Sequence, residues 1–350
     1  MTLSPLQLAA IVSAGVPGIY SVGAEPVRED SDDFDSAIIA DSTGRRWRVR
    51  APRRPDASMR LEAEHLILQS FSPGLRARLP FAVPTVAGTV PYAGGNVFVY
   101  THIPGTIYDV DQLAELSRRE VAANRPSLAS IIAKDIATLH VMPEDIIYEA
   151  DLPSYSSEQI RLRKNAELER AAATGKVPAD LLAHWRTVLS PGPMWQFRPR
   201  VVHGDMGAEN LVLHVTPSTA RIVEVTGWSD VHVGDPAQDF AWLYSCQDID
   251  FTDEAIEVYR QQMPQLPDAY LAQRANFYAE FAIAQWLTHT VEVGDRDGAT
   301  HAVSMLLDIQ DDLRASGEAF ARQLAAAGAV SSASPARASP TGTSTPSAAR

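Results

Sequence analysis

The chain has 350 residues, enough to fill two lobes and bury a large core without metal or disulfide staples. Hydrophobic residues make up 45% and charged residues 21%, which excludes wholesale disorder. The net charge of −13 argues against a nucleic-acid surface, which needs clustered cations, and no apolar run is long enough to span a bilayer.

Cys246 is the sole cysteine, so an internal disulfide and a cysteine-built metal site are excluded. Only Lys134, Lys164 and Lys176 are lysines, and none precedes residue 134. Any mechanism that needs a phosphate-binding lysine in the first third of the chain must therefore use arginine. The Walker pattern is absent, because Gly175-Lys176 is followed by Val177. The start of the chain has no cationic n-region, so no secretory signal is expected and the cytoplasm is the expected compartment.

In chain order, residues 5–15 read as a short helix on a partial apolar stripe. Residues 36–40, 41–44 and 45–49 read as a hairpin with a polar turn. Residues 57–71 read as a helix, and 85–90 and 96–101 as two strands joined through Gly94-Gly95. Pro104-Gly105 then marks a change of texture, and a hinge is expected at 101–105. Beyond it the chain is mainly helical. Leu128, Ile131, Ile132, Ile136 and Leu139 give a clear stripe over 127–141. Residues 155–172 read as an exposed helix, 201–213 and 221–225 as short strands around a loop, and 268–292 and 299–326 as helices. Residues 331–350 are Ser, Ala, Thr, Pro, Arg and Gly only, so a disordered tail is expected.

The chemistry-bearing stretch is Val202-His-Gly-Asp-Met-Gly-Ala-Glu-Asn210. Asp205 and Asn210 lie five residues apart on a glycine-opened turn between apolar runs. A carboxylate there can take a hydroxyl proton, and an amide oxygen can ligate a hard cation. Alternatively, His203 and Asp205 only knit the loop to the backbone. A second segment, Val233-Gly-Asp-Pro-Ala-Gln-Asp-Phe-Ala-Trp-Leu-Tyr244, follows it.

Together these segments resemble the aminoglycoside/macrolide phosphotransferase family over about residues 15–325, with a texture most similar to its macrolide 2′-phosphotransferases. The resemblance implies an α+β, bilobal, protein-kinase-like fold. A small N-lobe (1–103) would carry an antiparallel sheet and one helix and cover a nucleotide. A larger, mainly helical C-lobe (104–330) would hold the catalytic loop and the substrate pocket. It implies transfer of a γ-phosphoryl group, from GTP or ATP with Mg²⁺, to an amino-sugar hydroxyl of a macrolide, by a monomer. By the same resemblance Asp205 is catalytic, Asn210 binds metal and His203 braces the loop. Asp235 and Asp239 are expected to cap and brace rather than react. The nucleotide would meet Arg50, Glu64 and backbone groups near His102 and Ile103. Asp230, Tyr278 and Trp286 are candidates for the substrate pocket.

Two departures from the family stand out. Arg50 falls where the kinase fold has a lysine. It is either that phosphate-binding cation or one member of a solvated arginine run, and alternation puts Arg48 on the same face. Gly227 falls where the family has a metal-chelating Asp, so transfer is expected to be impaired or lost. Glu224 and Asp230 flank that gap. Nine acids and no Lys or Arg lie between Glu224 and Tyr259, which suits either a cleft that attracts a cationic substrate or a solvated acidic surface. A catalytically inactive nucleotide- or drug-binding protein, and a kinase for an aminoglycoside or other small molecule, are the competing readings.

Overall fold

The computed structural model describes residues 2–27 and 33–332. Helix α1 (Pro5–Gly15) starts on a capping box, in which Ser4 and Gln7 satisfy each other's backbone. Five strands follow: β1 (Ser21–Pro26), β2 (Phe34–Asp41), β3 (Arg46–Pro52), β4 (Val86–Tyr92) and β5 (Gly95–Thr101). They form one antiparallel sheet in the order β1-β2-β3-β5-β4. Between β3 and β4 lie α2 (Pro55–Ser70) and α3 (Pro73–Arg76).

Strand alternation gives this sheet two unlike faces. Ala37, Ile39, Trp47, Val49, Val97 and Val99 pack under α1 with Leu8 and Val12. On the opposite face, Phe34, Phe98 and Tyr100 join Leu61 of α2 in the main core. Arg48 and Arg50 project toward that second face, paired in register with Tyr100 and Phe98. Both strand arginines are therefore placed over the cleft by the same period-2 rule.

After Thr101 the chain runs without regular structure through residues 102–105 and enters a mainly helical region. The helices are α4 (Val110–Ala122), α5 (Leu128–His140), α6 (Asp145–Glu149), α7 (Ser157–Ala173), α8 (Ala179–Val188), α9 (Ile249–Gln262), α10 (Leu271–Val293) and α11 (Arg296–Ser332). Helix α5 buries Leu128, Ile132, Ile136 and Leu139, as its stripe requires. Helix α7 is less exposed than its composition suggests, because Ile160, Arg161, Leu168 and Ala171 are buried.

Two short hairpin-like pairs hold the functional loops. Strand β6 (Arg200–Val202) pairs with β9 (His232–Gly234), and β7 (Leu211–Thr216) with β8 (Thr219–Val225). The glycine-opened turn expected between apolar runs is the loop carrying Asp205, between β6 and β7. Among the described residues no helix is long and apolar enough to cross a membrane. The tail expected over 331–350 lies outside the described residues from 333 onward, and residues 331–332 belong to α11.

Candidate active site

A cavity of about 220 Å³ lies between the sheet and the helical region. Asp205, Asn210 and Gly227 line it from below, and Arg48, Arg50, Arg60 and Glu64 from above. The chain thus brings together six of the residues singled out in the sequence, with Arg60 as an addition from α2.

The floor is set by backbone turns. Gly204 has φ +83°, and a β-carbon there would overlap the carbonyl of Asp230, so only glycine suits the turn that presents Asp205. The Asn210 side chain donates from Nδ2 to the Asp205 carbonyl at 2.7 Å. Its Oδ1 accepts from Thr226 Oγ1 at 3.4 Å, beside Gly227. Burial pushes the Asp205 carboxyl above its ordinary range, His203 pulls it down, and Asp230 and Glu209 push it up. A carboxylate held this way suits a proton acceptor for a hydroxyl nucleophile.

The loop is held from behind by a buried network. Asp239 accepts from His203 N at 2.8 Å and from Gly204 N at 2.9 Å. His140 Nε2 donates to the same carboxylate at 3.0 Å and Tyr259 closes the chain on His140 Nδ1 at 2.8 Å. Burial alone would raise the Asp239 carboxyl, but His140 and His203 outweigh it and hold it below the ordinary value. His203 Nε2 donates to Thr226 O at 2.9 Å, which ties the Asp205 loop to the strand before Gly227. Asp235 accepts from Arg274 Nε at 2.7 Å, Tyr278 Oη at 2.8 Å and Ala237 N at 3.0 Å.

The roof is held by Glu64. Its Oε2 accepts from Tyr100 Oη at 3.0 Å and lies 3.7 Å from Arg50 Nη1. Its Oε1 accepts from Trp228 N at 3.3 Å, one residue past Gly227. The Arg50 guanidinium also lies 4.0 Å over the Phe34 ring. His102 borders a second, small space toward β5, but its N–H donates to Arg46 O at 3.2 Å and so is turned into the sheet. Ile103 follows it and is half-buried.

Two expectations are corrected by the geometry. Tyr278 is buried and bonded to Asp235, so it braces the core and does not face the cleft. Trp286 lies two turns further along α10, where its ring meets His301 of α11 edge-on at 5.5 Å. Asp230 does line a cavity, of about 380 Å³, together with Tyr155, Lys164 and His232. The acidic stretch does not form one acidic cleft. Asp235 and Asp239 are fully buried braces, Asp248 caps α9 and pairs with Arg118, and Glu254 accepts from Ser127.

The same geometry tests the magnesium that the family fold implies. Asn210 Oδ1 offers one protein oxygen, and Gly227 offers no carboxylate beside it; Asp205, Glu209 and Glu64 line the same cavity, Glu64 with its oxygens taken up by Tyr100 and Trp228. Glu224 and Asp230 line neighbouring spaces rather than the cavity of Asn210. Among the described residues no group of three or more His, Cys, Asp or Glu side chains could hold a metal ion. The residues present therefore do not complete a protein-held magnesium site. Sequence reasoning missed Arg60 and Glu209, both of which line the cavity; Glu209 stood in plain view beside Asn210.

Sequence and fold comparisons place the chain in a family. The model of the phosphotransferase enzyme family, APH, matches residues 26–274, and the chain belongs to that family. The uncharacterized protein YcbJ of Bacillus subtilis (strain 168) is 22% identical over 252 residues, 69% of this chain and 76% of that protein. Viomycin phosphotransferase of Streptomyces vinaceus is 44% identical over only 41 residues, 12% of this chain and 14% of that protein. The crystal structure of macrolide 2′-phosphotransferase MphH from Brachybacterium faecium superposes with a TM-score of 0.68 at 20% identity, covering 85% of this chain and 97% of that one. The GDP complex of aminoglycoside 2′-phosphotransferase-IIIa superposes with a TM-score of 0.70 at 14% identity, covering 89% and 99%. These likenesses establish the kinase-like α+β fold.

Proposed function

We propose that the chain binds a purine nucleoside triphosphate, GTP before ATP, and a macrolide amino sugar, and transfers the γ-phosphoryl group slowly to a sugar hydroxyl. The observation that carries this reading is the meeting of Asp205, Asn210, Glu64 and Arg50 around one cavity. Asp205 would orient the acceptor hydroxyl and take its proton. Arg50, paired with Glu64, would hold phosphate oxygens in a fork. Residues 1–103 and 104–330 serve as the two lobes in this reading, with a monomer acting in the cytoplasm. The resemblance to macrolide enzymes supports the acceptor class, and the solved GDP complex of a related fold supports a guanine nucleotide donor.

Gly227 favours a second reading, in which the chain binds nucleotide and drug without transfer. The test is transfer of radiolabelled γ-phosphate from GTP and from ATP, with magnesium, to erythromycin and to a panel of aminoglycosides. Slow labelling of erythromycin supports the first reading. Labelling of an aminoglycoside alone moves the acceptor class. Binding of both ligands with no labelling leaves the second reading.

A further inference from the structure

The cleft is divided. The space of about 220 Å³ over Asp205, Asn210 and Gly227 is one part. The other, bordered by Tyr100, Thr101, His102 and Glu224, measures only about 20 Å³. That is room for about one water molecule and not for a purine. Yet it is the side of the cleft next to residues 101–105, where the base of a nucleotide belongs if its phosphates lie at Asn210.

Arg48, Arg50, Glu64 and Thr226 line both parts and so form the partition between them. Thr226 is short, and Arg50 is held by Glu64 and by the Phe34 ring. Arg48 is the long side chain on the base side. Strand β3 sets it opposite Tyr100, two residues nearer the connecting segment than Arg50. Its charge is felt throughout that side. It pulls down the Glu224 carboxyl, which burial has pushed up to about 7, and it adds to the burial and the Arg46 charge that depress His102.

We propose that Arg48 is a plug that closes the base side of the cleft, and that a nucleotide enters only by displacing it toward the phosphates. An arginine suits such a swing, because its stem is flexible and its guanidinium can bond phosphate oxygens in the larger space it already lines. Arg48 is then the residue that sets nucleotide affinity, and the resting chain meets a triphosphate chiefly through its phosphates. This inference rests on the nucleotide reading above.

Fluorescent mant-GTP and mant-ATP are titrated into the full chain, with unlabelled GTP and inorganic tripolyphosphate as competitors. The parental chain is measured beside Arg48→Ala and beside Arg48→Ala/Glu224→Gln, which leaves no buried carboxylate uncompensated. In the parental chain tripolyphosphate competes within about tenfold of GTP, since the base adds little. At least one variant that retains the parental circular dichroism spectrum binds both nucleotides tenfold or more tightly, while tripolyphosphate does not tighten. A parental preference of a hundredfold for GTP over tripolyphosphate overturns the plug. So does parental nucleotide affinity in both variants, and in that case the nucleotide reading stands. If neither the parental chain nor the variants bind nucleotide, both the plug and the nucleotide reading fall. The parental comparison needs no substitution, so it decides the question even if both variants fail to fold.

Discussion

The side chain of Asn210 occupies the space that a β-carbon on residue 227 would need: a carbon built there would overlap Asn210 Oδ1. Gly227 also has φ +81°, in the left-handed region that glycine adopts at little cost. The glycine is thus fitted to its surroundings, and Asn210 has settled into the gap. Gly227→Ala should destabilise the chain by roughly 1–3 kcal/mol, the usual scale of a non-glycine residue forced into strained backbone. It should give no gain in transfer rate, because it adds bulk without an oxygen. Urea denaturation with a parallel rate assay checks both halves.

Asp205 should matter more to turnover than any other side chain. Asp205→Ala should lower kcat by orders of magnitude and change nucleotide affinity little, since its task is to position the acceptor. Near-parental turnover in that variant would remove the residue from the mechanism.

The acidic limb of the pH–rate profile reports the same carboxyl. Burial, Asp230 and Glu209 raise Asp205, so the limb should lie above the ordinary carboxylate range. Asp230→Asn removes one raising neighbour, and the limb should move to lower pH. A limb that stays in place would show that another group controls it.

The Asp239 network should be worth more to stability than to chemistry. Asp239→Ala strands two backbone donors and a buried histidine. A loss of about 3–5 kcal/mol is expected, as for breaking other buried charge networks. Thermal denaturation should show it directly, and a change below 1 kcal/mol would mean that the loop is held by other means.

Asp135 gives a pH dependence with a definite sign. Burial pushes its carboxyl up to about 7. The native chain then holds a proton that the unfolded chain releases near pH 4. Its contribution is full below about pH 4 and is lost as pH rises toward 7, by roughly 4 kcal/mol. Glu224 acts in the same direction. Asp135→Asn should raise the melting temperature at pH 8 and leave it nearly unchanged at pH 4. An equal change at both would contradict the buried-acid account.

What could be read from the sequence follows from what each signal depends on. Helix α5 and the alternation of β3 were legible because one face of each is buried and the period shows it. The loop of Asp205 and Asn210 was legible because glycine and polar residues interrupt apolar runs in a fixed order. Tyr278 and Trp286 were misplaced because an aromatic residue on a helix looks alike whether it meets a ligand, an aspartate or another helix. The acidic run left two readings open for a related reason: composition does not tell a cap or a buried brace from an open cleft. Arg48 was seen on the same face as Arg50, yet alternation gave no ground for assigning a role to both. Only the partition that the two arginines share with Glu64 and Thr226 does so.

The most direct test of the account compares kcat for the parental chain and for Gly227→Asp, on one macrolide with GTP and magnesium. Aspartate tolerates the left-handed region better than most residues, and Asn210 must turn aside to admit it. The new carboxylate would supply an acidic oxygen directly beside Asn210 Oδ1, where Gly227 offers none. A gain of about 10²–10⁴-fold is predicted, which corresponds to roughly 3–5 kcal/mol of transition-state stabilisation. Equal rates in two folded proteins would contradict the account, because the missing carboxylate would then not be what limits transfer.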